Sequence, residues 1–200
     1  MSTFVHPTAD VSPKAQLGAG CRIWNQVQVR EVARLGAGCT VGKDSYIDTE
    51  VVLGAHCKIQ NGVYLYRGVT VEDGVFLGPR ACTTNDLRPR AIFPDGSPRG
   101  PQDFVVTPTH ICRGASVGAG AVLVCGITVG EFAMIAAGSV VTRDVPAYGL
   151  VRGNPARLVA AVCACGQTLS KDALRSEHRA QCASCKAELQ LSAQVAKVVR

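Results

Sequence analysis

The chain has 200 residues, 47% hydrophobic content, 5% aromatics, ten cysteines and a formal net charge of +6. That is enough for one core-forming domain with a small appendage. No run of eighteen apolar residues and no basic run with interleaved aromatics occurs, which speaks against a membrane span and against nucleic-acid binding.

From the N-terminus, aliphatic residues recur at every sixth position: Val5, Val11, Leu17, Ile23, Val29, Leu35, Val41, Ile47, Leu53, Ile59, Leu65, Val71 and Leu77. The series resumes at Val105, Ile111, Val117, Leu123, Val129, Ile135 and Val141. Neither a helix (period 3.6) nor an alternating strand (period 2) gives a period of six. A repeat this short predicts a solenoid of short strands, a parallel β-helix. Small or apolar residues follow four positions later, including Ala9, Cys21, Cys39 and Cys57. The segments 17–21 (LGAGC), 35–39 (LGAGC) and 53–57 (LGAHC) repeat at a spacing of eighteen, so three hexads make one coil with three flat faces. Each aliphatic is expected to point inward. Glycine after the aliphatic, as at Gly18, Gly36, Gly42 and Gly54, is expected to supply positive φ at the corners. Cys21, Cys39 and Cys57 should form a buried ladder of small apolar side chains.

Residues 83–104 break the repeat with four prolines, two glycines and several charges. A segment of this length is characteristically functional or disordered. Val105 returns four residues out of phase, so the chain leaves the prism there and re-enters it. After Pro146 the hexads end, and residues 147–162 read as a connector with a short helix. The first residues lack a signal-peptide pattern, and the expected location is cytoplasmic.

The tail, 163–200, carries Cys163-Ala-Cys165 and Cys182-Ala-Ser-Cys185. Two cysteine pairs with sixteen residues between them resemble a zinc ribbon or knuckle with Cys163, Cys165, Cys182 and Cys185 as ligands of a structural Zn²⁺. Reduced bystander thiols and disulfides are the alternatives. Residues 171–181 read as a polar helix.

The hexads resemble the hexapeptide-repeat acyltransferases, over residues 5–162. That resemblance implies a left-handed parallel β-helix, an all-β fold, working as a homotrimer with active sites between subunits. Residues 140–157 are similar to that family's terminal coil and acyl-coenzyme A region, and residues 5–9 (VHPTA), 22–25 (RIWN), 58–61 (KIQN), 65–69 (LYRGV), 84–91 (TNDLRPRA) and 124–127 (VCGI) are similar to enzymes that acetylate an amino group on a nucleotide-linked sugar. These act on UDP-linked 3-amino glucuronate derivatives or dTDP-linked 3-amino-3,6-dideoxyhexoses. Arg67 stands where the glucuronate-type enzymes commonly carry Glu, and Asn25 where they carry His. The domain division that follows is 1–162 for the transferase and 163–200 for the tail.

The implied chemistry is acetyl transfer from acetyl-CoA to an amine. A neutral amine needs positioning more than it needs a strong base. Asn85 is the main catalytic candidate: its amide can accept from the amine without competing for the proton. Capping of the turn is its alternative role. Asp86 could hold the amine or a hydroxyl, or be a solvated turn residue. Arg67, Asn61, Lys58 and Arg90 are candidates for the nucleotide or sugar. Gly126, Ala136, Ala137 and Gly138 suit close approach of the pantetheine arm, Arg143 and Arg157 suit its phosphates, and Asn154 the adenine. Of four histidines, His110 is the candidate base if the acceptor is a hydroxyl. A hydratase with three histidines on one zinc is disfavoured because no third histidine is suitably placed. A non-catalytic scaffold is the remaining alternative, and the inserted segment weighs against it.

Overall fold

Each hexad of the regular coils becomes one strand of two or three residues and one tight turn. In a computed structural model describing residues 2–169, 178–191 and 196–198, twenty short strands run from Phe4–Val5 to Val140–Val141. They stack as three parallel sheets. The first face begins with Phe4–Val5, the second with Asp10–Val11 and the third with Gln16–Leu17. Phe4 pairs with Arg22 and Lys58 with Phe76, so successive coils are offset by eighteen residues. Across the insertion the offset is larger, with Val69 opposite Thr109.

The aliphatic of each strand fills the prism. Ile23, Val41, Ile47, Ile111, Val117 and Val129 are fully buried or nearly so. Val5 is 40% exposed, because the first coil has no coil beneath it. Val105 departs from its expected inward position and is 72% exposed. The chain rejoins the prism only at the strand Thr109–Ile111, and Val105 still belongs to the insertion. Cys21, Cys39 and Cys57 form the expected ladder, and their thiols donate to the carbonyls of Gly36, Gly54 and Glu72 at 3.0–3.2 Å.

The reason for glycine after the aliphatic is different from the expected one. Those positions do not take positive φ. A Cβ on Gly18 would lie 2.5 Å from the Ala37 nitrogen, and one on Gly36 2.5 Å from the Gly54 carbonyl carbon. Glycine is needed there because adjacent coils touch backbone to backbone. Positive φ falls two residues later, at Gly20, Gln26, Val32, Gly38, Asp44, Glu50 and His56.

Residues 147–162 form no helix. The strands Gly149–Gly153 and Ala156–Ala161 pair antiparallel and extend the first face. Backbone hydrogen bonding to the rung Met134–Ile135 explains why this segment is extended. The expected helix over 171–181 falls largely outside the described residues, and its end, His178–Gln181, is a strand. That strand pairs with Glu188–Leu191, which pairs with Ala196–Val198. No helix among the described residues is long and apolar enough to cross a membrane.

Candidate active site

The insertion replaces one corner of one coil. It leaves after Cys82–Thr83 on the second face and returns at Thr109–Ile111 on the third. Backbone bonds close its neck: Thr107 N–H donates to the Asn85 carbonyl at 2.9 Å, and Gly126 N–H to the Pro108 carbonyl at 3.1 Å. The Thr84 hydroxyl accepts from Cys125 N–H at 3.0 Å. Tyr64 pairs with Cys82, so the eighteen-residue offset persists to the neck. Asn85 therefore stands one coil above Arg67 on the same edge, half-buried, with Gly126 one coil further on.

Inside the insertion is a cavity of about 410 Å³ lined by Asp86, Arg88, Phe93, Arg99, Asp103 and Thr107, among others. Local bonds shape it. Asp86 Oδ1 accepts from Arg88 N–H at 2.7 Å, and Asp103 Oδ2 from Gly100 N–H at 2.8 Å. Ile92 and Pro98 form an antiparallel bridge, and the Arg99 guanidinium lies over the Phe93 ring at 4.9 Å. Arg99 Nε is buried without a partner, an orphan cationic donor. The sequence reading singled out Asp86 but missed Arg88, Phe93, Arg99 and Asp103. The density of arginine between prolines was the available signal. Arg90 is exposed and bonds the Pro89 carbonyl at 2.9 Å.

Most of the other candidates separate onto two corners. Arg67 lies below Asn85, with its guanidinium paired to Glu50 at 2.8 Å and its N–H given to Asp48 at 3.0 Å. Gly126 and Arg143 lie on the same edge, further along. Asn61 lies on the corner between the first and second faces, where its Oδ1 accepts from Lys43 N–H at 3.1 Å. A depression of about 650 Å³ there is lined by Lys43, Asn61, Tyr64 and Arg80. Ala136, Ala137 and Gly138 follow Met134–Ile135 on that same corner. Lys58 points outward from the first face. Asn154 is at the tip of the terminal hairpin and Arg157 on its second strand, both exposed.

His110 points outward from the third face. Its Nε2 is 2.7 Å from Glu72 Oε1, and the other Glu72 oxygen accepts from Arg113 N–H at 2.8 Å. These bonds, the histidine's first, hold the Glu72 carboxyl below its usual range. Cys112 lies within the same group. Among the described residues, the groups able to hold a metal contain one histidine, His110. The four tail cysteines form the other group. The backbone N–H of Cys185 draws the Cys182 thiol down to about 6, while burial pushes Cys163 up to about 12.

A family described as hexapeptide repeat of succinyl-transferase matches residues 32–67 and 108–143, on either side of the insertion. These stretches are hexapeptide repeats in sequence and in coil geometry. The dTDP-3-amino-3,6-dideoxy-alpha-D-galactopyranose 3-N-acetyltransferase of Aneurinibacillus thermoaerophilus is 54% identical over 61 residues, 30% of this chain and 32% of that protein. Serine acetyltransferase 2 of Arabidopsis thaliana is 35% identical over 92 residues, 46% of this chain and 22% of that protein. The match thus spans a third or less of these relatives' length. In fold, the chain is similar to a mutant of AntD, an N-acyltransferase from Bacillus cereus solved with dTDP and coenzyme A. That likeness has a TM-score of 0.53 at 15% identity and covers 80% of each chain.

Proposed function

We propose that this hexapeptide-repeat chain is an N-acetyltransferase that moves an acetyl group from acetyl-CoA to the amino group of a dTDP- or UDP-linked amino sugar. One observation carries the reading. A regular prism is interrupted once, at a single corner, and the interruption forms a cavity lined by Asp86, Arg88 and Arg99, with Asn85 at its neck. A scaffold has no need of such a break. The 54% identical stretch in a dTDP-amino-sugar acetyltransferase supports the choice of acceptor.

In this mechanism the neutral amine attacks the thioester carbonyl. A C–N bond forms, the C–S bond breaks, and the surplus amine proton passes to the departing thiolate. The Asn85 amide oxygen accepts from the amine and aims its lone pair, and Asp86 holds the amine or a neighbouring hydroxyl. Arg99 and Arg90 are assigned to the nucleotide phosphates, with Arg67, Asn61 and Lys58 around the nucleotide and sugar. The small residues Gly126, Ala136, Ala137 and Gly138, with Arg143, Asn154 and Arg157, are assigned to coenzyme A. Asn61 and the 136–138 turn lie on one corner while Asn85, Gly126 and Arg143 lie on another. A homotrimer would bring the corner of one copy to the other corner of its neighbour, and the site is assigned to that groove. Residues 1–162 form the transferase domain in this reading, 163–200 an appended unit, and the enzyme is assigned to the cytoplasm with its acetyl donor.

A second reading rests on the 2.7 Å bond between His110 and Glu72. A carboxylate that fixes one ring nitrogen leaves the other to act as a base, which is what a hydroxyl acceptor requires. Free-thiol release from acetyl-CoA separates the two. Turnover with nucleotide-linked amino sugars supports amine transfer, and turnover with their hydroxyl analogues alone transfers the catalytic role to His110.

A further inference from the structure

We infer that Cys163, Cys165, Cys182 and Cys185 hold a structural Zn²⁺ that clamps the C-terminal ribbon onto the last coil of the prism. The spacing in sequence suggests a metal, and the structure supplies the geometry. All four Sγ atoms lie within 4.8 Å of one another. Cys163 and Cys185 approach to 3.5 Å, and Cys165 and Cys182 to 3.6 Å. A tetrahedral ion with Zn–S bonds of about 2.3 Å requires sulfur–sulfur edges of about 3.8 Å. Two opposite edges of the four-sulfur cluster are thus near that length, and the remaining separations are within 4.8 Å.

The backbone prepares both halves alike. Gly166 N–H donates to the Cys163 carbonyl at 2.8 Å, and Lys186 N–H to the Cys182 carbonyl at 2.9 Å. Gly166 and Lys186, each just after a cysteine pair, take positive φ of 89° and 63°. Each pair thus sits on a tight turn that curls its two sulfurs toward a common centre. The missing residue in Cys163-Ala-Cys165 does not spoil this convergence. Cys163 and Cys182 are buried, and Cys165 and Cys185 are exposed.

Four thiolates leave no open coordination position, so the ion would hold structure and take no part in acetyl transfer. Binding requires all four sulfurs as thiolates and releases the protons they still carry. Thiolate softness selects zinc over magnesium or calcium. The need for a clamp is visible in the packing. Cys163, Leu169, Cys182 and Leu189 share a small cluster with Tyr148, backed by Phe132 from the last coils. The Phe132 and Tyr148 rings stack at 5.4 Å, and this cluster is separate from the prism core. A solenoid needs a cap on its final coil, and a cap with so few apolar side chains needs a further staple.

The test uses the full chain expressed in zinc-supplemented medium and purified without chelator. Metal analysis should find about one zinc per chain, and Co²⁺ exchanged for it should give thiolate charge-transfer absorption and the visible bands of a tetrahedral site. Cys182→Ser with Cys185→Ser should remove the metal and expose the tail to protease. If that pair fails to fold, Cys165→Ser alone, at an exposed ligand, should surrender zinc to a chelator at least about tenfold faster than the parent. Four free thiols with no stoichiometric zinc, octahedral cobalt spectra, or two disulfides in the freshly purified chain would overturn the assignment. None of these readouts depends on acetyl transfer, so their failure leaves the proposed reaction untouched.

Discussion

The backbone carbonyl of Asn85 accepts the N–H of Thr107 at 2.9 Å, so a segment of more than twenty residues leaves and re-enters the prism through one narrow neck. The bond fixes the backbone at the residue proposed to aim the amine. Just below the neck the coils pair directly, with Cys82 opposite Val122 and Thr83 opposite Leu123. The cavity thus hangs from a rigid edge, which suits a site that must hold two substrates in line.

Asn85→Ala should lower turnover at least about tenfold, equivalent to about 1.4 kcal/mol of transition-state stabilisation. Oligomer size should be unchanged, because the neck bond uses the main chain and survives the substitution. Steady-state kinetics with sizing by light scattering checks both. Wild-type turnover would remove Asn85 from the mechanism.

Val32 takes φ of 64° and is 46% exposed. A β-branched residue in the left-handed region costs about 1–2 kcal/mol. Val32→Asn should raise unfolding stability by about 1 kcal/mol, read from the denaturant midpoint at unchanged slope. No gain would mean that the turn is relaxed there.

Two glycines of different kinds should respond differently to alanine. Gly36 has ordinary φ but no room, since its Cβ would meet the next coil at 2.5 Å. Gly74 has φ of 67° and nothing within 4 Å of the added carbon. Gly36→Ala should therefore cost about 3 kcal/mol or more through displaced coils, and Gly74→Ala about 1 kcal/mol through backbone strain. Equal losses in thermal unfolding would contradict the close-approach account of the first.

Glu72 is held below its ordinary value of 4.5 by His110 and by the Arg113 N–H. A depressed carboxyl stabilises the fold fully above its unfolded value and loses that contribution as pH falls through the folded one. Stability should therefore decline as pH drops below about 4.5, and Glu72→Gln should flatten that limb while leaving the neutral-pH slope unchanged. An unaltered acid limb in the variant would show that Glu72 contributes nothing to it.

The fold was highly legible because one physical demand repeats: each face of each coil buries one aliphatic, and LGAGC recurring at eighteen sets the register. Phase alone misled at Val105, which lies six residues before Ile111 yet outside the prism. Glycine was correctly located as a corner residue, but for the wrong reason, because coil-to-coil distance is not written in the local sequence. The terminal hairpin was missed, although Gly153-Asn154-Pro155 between apolar runs marked a turn. At the site, Asn85 and Asp86 stood out by their place at the break. Arg99 and Phe93 did not, since their stacking depends on how the insertion folds back. The bond between Glu72 and His110 joins residues 38 positions apart and has no sequence signature.

The most direct measurement is the structure of the product. The full chain is incubated with acetyl-CoA and a dTDP-linked 3-amino-3,6-dideoxyhexose, and the sugar is analysed by mass spectrometry and proton–carbon correlation NMR. The account predicts one added acetyl group in amide linkage at the amino carbon, formed in step with release of free coenzyme A thiol. An acetyl ester on a sugar hydroxyl, or thiol release with no modified sugar across the panel of nucleotide amino sugars, would contradict it.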